Sequence, residues 1–182
     1  MRKTLGLAAA LAAVVAAGSL LGVHALAGGG KTNIKADTLT GYQESVVGAI
    51  STTATGSFRA SIDEDAQTID YRLAYSGLTG TILFSHIHLG DRAQSGGVIV
   101  FLCGGGGKPA CPQPAGGDEV VVTGTITPGD VIGPSGQGIA GGEFGELVAA
   151  LRAGATYVNV HSSTFASGEI RGQINDDDQR QP

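Results

Sequence analysis

The chain has 182 residues and a formal net charge of −5 at pH 7, with 16 acidic against 11 basic side chains. An acidic protein has no electrostatic reason to seek nucleic acid or an anionic membrane surface, so we expect neither as a partner. Hydrophobic residues make up 42% of the sequence, which is too much for a disordered chain, and the 31 glycines fit tight turns between strands.

Residues 1–27 have the pattern of a secretory signal peptide. Arg2 and Lys3 form a cationic start, and an uncharged run rich in Ala, Leu and Val extends from Leu5 to Leu21. Small residues of the kind that a signal peptidase reads end at Ala27. We therefore expect cleavage after Ala27, a secreted extracellular protein and no stable membrane insertion afterwards. A membrane anchor is the alternative, but about 17 apolar residues is marginal for spanning a bilayer.

Composition divides the rest of the chain into three parts. Residues 28–35 begin with three glycines and predict a flexible linker. Residues 36–174 carry the patterned sequence and predict a single domain. Residues 175–182 include three consecutive aspartates and predict a solvated acidic tail, since such a run without a turn-forming glycine makes a poor calcium cage.

Short runs of β-forming residues, separated by turn residues, extend through the domain. Alternation at 55–62 and 68–75, with a polar turn between them, predicts a hairpin, and the apolar run at 98–102 predicts a buried central strand. Further strands are predicted at 81–89, 119–126, 156–161 and 168–174. Within 142–154 the apolar residues recur at helical spacing, which predicts one short helix. The pattern predicts an all-β fold, an antiparallel β-sandwich with one short helix.

Two cysteines, Cys103 and Cys111, lie close together with a glycine-rich segment between them. In an oxidising compartment such an isolated pair predicts one disulfide, which would stabilise the fold by roughly 2.5 kcal/mol in the chain-entropy model. A redox pair or a thiolate metal site is the alternative, but the redox signature has only two residues between its cysteines.

Three histidines remain once His24 is removed with the signal peptide. His86 and His88 are separated by one residue in a predicted strand, so their side chains point to the same face, and His161 ends a later strand. Imidazole is the commonest protein ligand for zinc and copper. We interpret His86, His88 and His161 as a candidate site for one copper or zinc ion with an exchangeable water.

Each ligating ring needs a partner for its other nitrogen, and Glu169, Asn159 and Asp91 are the candidates close in sequence. The alternative is a structural hydrogen-bond network on a solvent-facing polar strand face. Glu169 and Arg171 alternate with an isoleucine, which predicts an exposed ion pair of little energetic weight. No nucleophile elbow, phosphate loop or zinc-protease helix motif is present, and we therefore assign no catalytic residue.

Six motifs taken together resemble one known family. They are Leu39–Glu44, Tyr75–Gly80, His86–Gly90, Val98–Cys103, Tyr157–His161 and Gly168–Ile174. In this order they are similar to the CHRD domain, the module named for chordin that also occurs singly in secreted microbial proteins. The resemblance covers residues 36–174 and implies a Greek-key, immunoglobulin-like or superoxide-dismutase-like sandwich, without a settled activity.

A fainter similarity is to the copper half of copper-zinc superoxide dismutase, in which His86, His88 and His161 would stand for three copper ligands. A fourth histidine and the cluster that holds the structural zinc are missing. Our leading expectation is a secreted module that binds an extracellular or envelope partner or has a structural role, leaning towards a non-enzymatic protein. The alternative is a protein with one copper or zinc ion and a redox or metal-carrying role.

Overall fold

The computed structural model describes residues 31–114 and 118–176, so the predicted signal peptide and most of the predicted tail lie outside the described residues. The described chain contains eight strands, one α-helix and three 3-10 turns. The strands are β1 Thr32–Thr40, β2 Thr55–Asp63, β3 Thr68–Ser76, β4 Ile82–Leu89, β5 Val98–Cys103, β6 Val120–Ile126, β7 Thr156–Ser162 and β8 Ile170–Asp176. The helix is α1 Phe144–Arg152, and the 3-10 turns are Gly41–Gln43, Pro128–Asp130 and Ser135–Gln137.

All eight strands belong to one antiparallel sheet with the order β5-β4-β7-β8-β1-β2-β3-β6. The sheet curls so that its edge strands β5 and β6 approach each other. At this seam Tyr71 of β3 passes over Gly124 of β6 and its Oη donates to the carbonyl of Leu102 on β5 at 2.7 Å. Lys108 Nζ donates to the carbonyl of Thr125 on β6 at 2.8 Å. The all-β antiparallel fold with one short helix is confirmed, as one nearly closed sheet whose two halves face each other.

Side-chain alternation explains the hairpin of β2 and β3. Phe58, Ala60 and Ile62 are buried, and residues between them are at least partly exposed, as a strand with one face on the core requires. In helix α1 the buried residues recur at helical spacing, so they share one face of the helix. They are Phe144, Leu147, Val148 and Leu151. Helix α1 packs against β8 and covers that part of the sheet.

Strands β4, β7 and β8 differ from β2 because both of their faces are buried. Ile87, Val158 and Ile170 point into the apolar core. The opposite face carries a set of buried polar and aromatic side chains, which we call the outer polar layer. It consists of His86, His88, Tyr157, Asn159, His161, Arg171 and Gln173. All seven residues of β7 are buried as a result.

The predicted boundaries of the domain need correction at both ends. Strand β1 begins at Thr32, so the flexible linker predicted for residues 28–35 is wrong from that residue onwards. Thr32 and Ile34 are buried and pair with Ile62 and Ala60 of β2, which fixes this segment in the sheet. The tail predicted for 175–182 begins later than expected, because β8 continues through Asp176.

The structure joins Cys103 and Cys111 in a disulfide, as the sequence predicts. This bond closes the loop that follows β5 and lies next to the seam. Gln113 extends the same region, since its side chain donates to the carbonyls of Cys111 and Ile82. Within residues 31–114 and 118–176, no helix is long and apolar enough to cross a membrane.

The seam generates the first testable prediction. Tyr71→Phe removes the hydroxyl that reaches the carbonyl of Leu102 and leaves that carbonyl without this donor. We expect the free energy of unfolding, measured in urea, to fall by about 1–3 kcal/mol. Tyr42→Phe is the matched control, because its side chain is 70% exposed, and it should change stability by less than about 0.5 kcal/mol. Equal stability of Tyr71→Phe and the wild type would show that the edges are held by other contacts.

Candidate metal centre

The three predicted histidines meet on the outer face of β4 and β7. His86 and His88 lie two residues apart on β4, and the neighbouring antiparallel strand β7 supplies His161. One ligand nitrogen from each ring can be chosen so that all three lie within 4.8 Å of one another. The ring centroids of His86 and His161 are 4.8 Å apart, and those of His86 and His88 are 5.2 Å apart. The structure therefore brings together the three histidines that the sequence singled out.

Two backbone carbonyls determine which ring nitrogens carry hydrogen. His88 Nδ1 lies 2.9 Å from the carbonyl oxygen of Gly96, and His161 Nδ1 lies 2.9 Å from that of Ala166. A carbonyl oxygen can only accept, so Nδ1 is the protonated nitrogen in both rings. In the neutral rings Nε2 then carries a free lone pair. His88 Nε2 is 3.3 Å from His86 Nδ1, and no hydrogen-bond partner for His161 Nε2 exists among the described residues.

Gly96 can make this contact because it has no side chain. A Cβ atom at this position would collide with the carbonyl group of Leu89, so the backbone can approach β4 closely only with glycine here. The amide of Gly96 also donates to Tyr157 Oη at 3.3 Å. The loop that follows β4 is thereby attached to the outer polar layer at two points.

Burial keeps the three imidazoles neutral. It lowers the pKa of His86 to about 3, with smaller contributions from His161 and His88 in the same direction. Burial likewise lowers the pKa of His161 to about 4. The pKa of His88 is lowered mainly by burial and also by the positive charge of Arg171, against the hydrogen bond to Gly96. All three rings can therefore offer lone pairs near neutral pH without first losing a proton.

Aromatic rings enclose the histidines. Phe84 lies 4.9 Å from His86 and 4.6 Å from His161 between ring centroids, and Phe101 meets His86 edge-on at 4.4 Å. Tyr157 stacks on His88 at 4.7 Å with an interplanar angle of 2°. The histidine side chains are only 5–9% exposed as a consequence. This arrangement provides nitrogen donors in surroundings of low polarity.

Arg171 extends the stack and holds the covering loops. Its guanidinium lies 3.4 Å from the centroid of the Tyr157 ring. It donates to the carbonyls of Asp91 and Gln94 at 2.8 Å and to Ser45 Oγ. The loop between β1 and β2 and the loop between β4 and β5 are thereby attached to β8, and Arg171 itself is 2% exposed.

The predicted exposed ion pair between Glu169 and Arg171 is therefore wrong. Both residues face away from the apolar core, as alternation requires, but loops cover that face and both are buried. The carboxylate of Glu169 accepts from Thr52 Oγ1 at 2.9 Å and from the amide of Thr79 at 3.0 Å. The expectation of a solvent-facing polar strand face is wrong for the same reason.

The three predicted partners of the ring nitrogens have different positions. Asn159 lies directly opposite His86 in the β4–β7 pairing, and its amide raises the pKa of His86 and His88 slightly against burial. The side chain of Asp91 is exposed, and its backbone carbonyl serves Arg171. The carboxylate of Glu169 accepts its hydrogen bonds from Thr52 and Thr79. The hydrogen bonds to ring nitrogens that were expected of Asp91 and Glu169 are therefore made by the backbone carbonyls of Gly96 and Ala166.

Sequence reasoning missed the aromatic enclosure and the carbonyl partners. Phe84 could have been found, because it lies two residues before His86 and so shares its face. The carbonyls of Gly96 and Ala166 carry no sequence signal, since every residue has one. Their positions depend on the fold of two loops.

Comparison with known proteins gives one family. The family model of the CHRD domain matches residues 36–174, which includes all strands from β2 to β7 and most of β1 and β8. No curated protein and no solved structure shows significant similarity to the chain. The likeness to the copper half of copper-zinc superoxide dismutase stays a prediction.

The shifted pKa values predict how stability depends on pH in the metal-free protein. Folding lowers the pKa of each histidine, so the free energy of unfolding of the protein falls as the pH drops below 6.5, the pKa of an unfolded histidine. Glu44 acts in the opposite direction, because burial raises its pKa from 4.5 to about 7 and stability falls as the pH rises through that range. Near pH 5.5 unfolding should take up about two protons at His86 and His161, with a further contribution from His88 in the same direction, and release about one at Glu44.

The free energy of unfolding should therefore fall by at least about 1.3 kcal/mol per pH unit between pH 6 and 5. Urea titrations at a series of pH values measure this slope. The control Glu44→Gln removes the opposing proton and should steepen the slope to at least about 2.5 kcal/mol per pH unit. A stability that does not change between pH 6 and 5 would show that the histidines already accept protons in the folded protein.

Proposed function

Because the chain belongs to the CHRD domain family and brings three histidines together, we propose that it binds one copper or zinc ion through His86, His88 and His161. The observation that carries this proposal is the orientation of the ring nitrogens. Two backbone carbonyls take the Nδ1 hydrogens of His88 and His161, which leaves a lone pair on Nε2 of each ring, and His88 Nε2 lies 3.3 Å from His86 Nδ1.

The distances support a shared ion. Metal–nitrogen bonds of about 2.0–2.1 Å in tetrahedral geometry separate two ligand nitrogens by about 3.4 Å. His88 Nε2 and His86 Nδ1 already lie at 3.3 Å, and the whole set lies within 4.8 Å. Because His88 Nε2 carries a lone pair, His86 Nδ1 is the donor in this contact in the metal-free protein. Binding therefore requires small ring movements and a shift of the His86 hydrogen from Nδ1 to Nε2. His86 would then bind through Nδ1, and the other two rings through Nε2.

The surroundings support binding rather than catalysis on a large substrate. The three side chains are 5–9% exposed and enclosed by aromatic rings, so the centre has no open face for a bulky molecule. Hydrogen bonds from ligating rings to carbonyl oxygens are a common way to orient ligands and raise their basicity. We propose that the protein holds or carries the ion.

Export is part of the same proposal. The pattern of residues 1–27 supports it, and the Cys103–Cys111 disulfide supports it because such bonds persist in oxidising compartments. A chain that folds outside the cytoplasm would acquire its ion there or deliver it there.

A role as an extracellular binding module is the second candidate. Three apolar side chains on the loop that follows β1 are exposed, namely Tyr42, Val46 and Val47. Clustered exposed apolar residues are typical of contact surfaces. The hydrogen bond between Ser45 and Ser95 connects this loop with the one that covers the histidines. Such a surface is compatible with metal binding at the three histidines.

The metal content of the purified protein tests the main proposal. After exposure to copper and zinc, mass spectrometry should find about one equivalent of metal in the wild type. His88→Asn and His161→Asn should abolish it, because an asparagine amide can still donate towards the same carbonyl while the Nε2 ligand is lost. Metal should also raise the melting temperature of the wild type and not of these variants.

Thr156→Val is the matched control. Thr156 lies on the same strand as His161 and is equally buried, and its hydroxyl has no hydrogen-bond partner among the described residues. This variant should keep the full metal content. A folded wild type that takes up neither ion at micromolar supply would refute the metal function and leave the binding-module candidate.

A further inference from the structure

We propose that the centre prefers monovalent copper to zinc and to divalent copper, an inference that rests on the metal-binding function proposed above. It follows from the charge that surrounds the three histidines and from the number of donors that they provide. Both can be read from the described residues.

The ligand set carries no negative charge. Among the residues that the structure describes, the cluster able to hold a metal contains His86, His88 and His161, with no cysteine, aspartate or glutamate. Three neutral rings leave a bound ion with its full charge. The Born cost of burying an ion grows with the square of its charge, so a dication costs about four times as much as a monocation in the same surroundings.

A neighbouring cation adds a positive field. Arg171 stacks on Tyr157, which stacks on His88, and the guanidinium charge disfavours additional positive charge at that ring. Two buried carboxyl groups lie in the same region, but neither belongs to the ligand cluster. Burial raises the pKa of Glu44 to about 7, which weakens its negative charge near neutral pH, and the carboxylate of Glu169 accepts from Thr52 and Thr79. A dication at the three rings would therefore have no anionic ligand.

The coordination number leads to the same conclusion. Zinc in proteins takes four ligands, and divalent copper prefers tetragonal sites with at least four. Three rings enclosed by Phe84, Phe101 and Tyr157 leave little space for water. One buried oxygen beside the rings, Asn159 Oδ1, has no hydrogen-bond partner among the described residues, but it is neutral and cannot offset a second positive charge. A monocation with a filled d shell accepts three nitrogen donors without a fourth.

Competition titrations on the wild-type protein test the preference. Monovalent copper is measured under anaerobic conditions against bicinchoninate, and zinc and divalent copper are each measured against a chromophoric chelator of known affinity. We expect monovalent copper to bind at least about 100-fold more tightly than either dication. The potential of the bound copper couple should accordingly lie above that of the aqueous couple.

Asn159→Asp gives a variant with the opposite charge balance. It places a carboxyl group opposite His86 without changing the size of the side chain. We expect the ratio of zinc affinity to monovalent copper affinity to rise at least about tenfold, since an anion favours the dication more. Thr156→Val should leave the ratio unchanged. If Asn159→Asp does not fold, the wild-type titrations decide the matter alone.

The possible outcomes separate this inference from the proposal beneath it. Tighter monovalent copper supports both. A wild type that binds zinc or divalent copper as tightly as monovalent copper, or more tightly, would overturn the preference and leave the metal-binding function intact. Failure of all three ions to bind the folded protein would overturn both.

Discussion

The guanidinium of Arg171 lies on the ring of Tyr157 and donates to the carbonyls of Asp91 and Gln94 in the loop after β4 and to Ser45 Oγ in the loop after β1. These contacts hold two loops against the outer face of the sheet, where the polar side chains of β4, β7 and β8 are buried. The loop that Arg171 holds after β4 supplies the Gly96 carbonyl to His88, and the Tyr157 ring beneath the guanidinium stacks on the same histidine. Together with Phe84 and Phe101, these contacts bury the rings and lower their pKa values, so the arrangement around Arg171 is the part of the structure on which His88 most directly depends.

Burying a polar layer costs free energy wherever a polar atom has no hydrogen-bond partner, and several such atoms are present in the described region. An unpaired buried polar group costs about 1–3 kcal/mol. Such atoms in the described region include His161 Nε2, Asn159 Oδ1 and Gln173 Oε1, all three in the outer polar layer. Unsatisfied groups concentrated in one place are a reason to look for function there, because an apolar face would be more stable. A bound ion would satisfy the first of these atoms directly.

Alternation and helical spacing were sufficient to predict the strands from β2 to β8, the helix, and the shared face of His86 and His88, because these are local properties of the chain. The early start of β1 was hidden by the glycines before it, although Thr32 and Ile34 already alternate with polar residues. The buried state of Arg171 and Glu169 could not be predicted, since it depends on loops distant in sequence. The insertion of β7 between β4 and β8 is equally non-local, and it is this pairing that brings His161 to His86.

The pairing of β4 with β7 also has a consequence for how the histidine cluster forms during folding. Ser85 Oγ donates to the carbonyl of Asn159, 74 residues further along the chain, and such a distant contact must overcome the entropy of closing a long loop. His161 meets His86 and His88 only where this pairing has formed, so the cluster reports on long-range order in the sheet and not on local structure. An ion bound there, as proposed above, would be enclosed by the same aromatic rings that bury the histidines, and they would have to move for it to enter or leave.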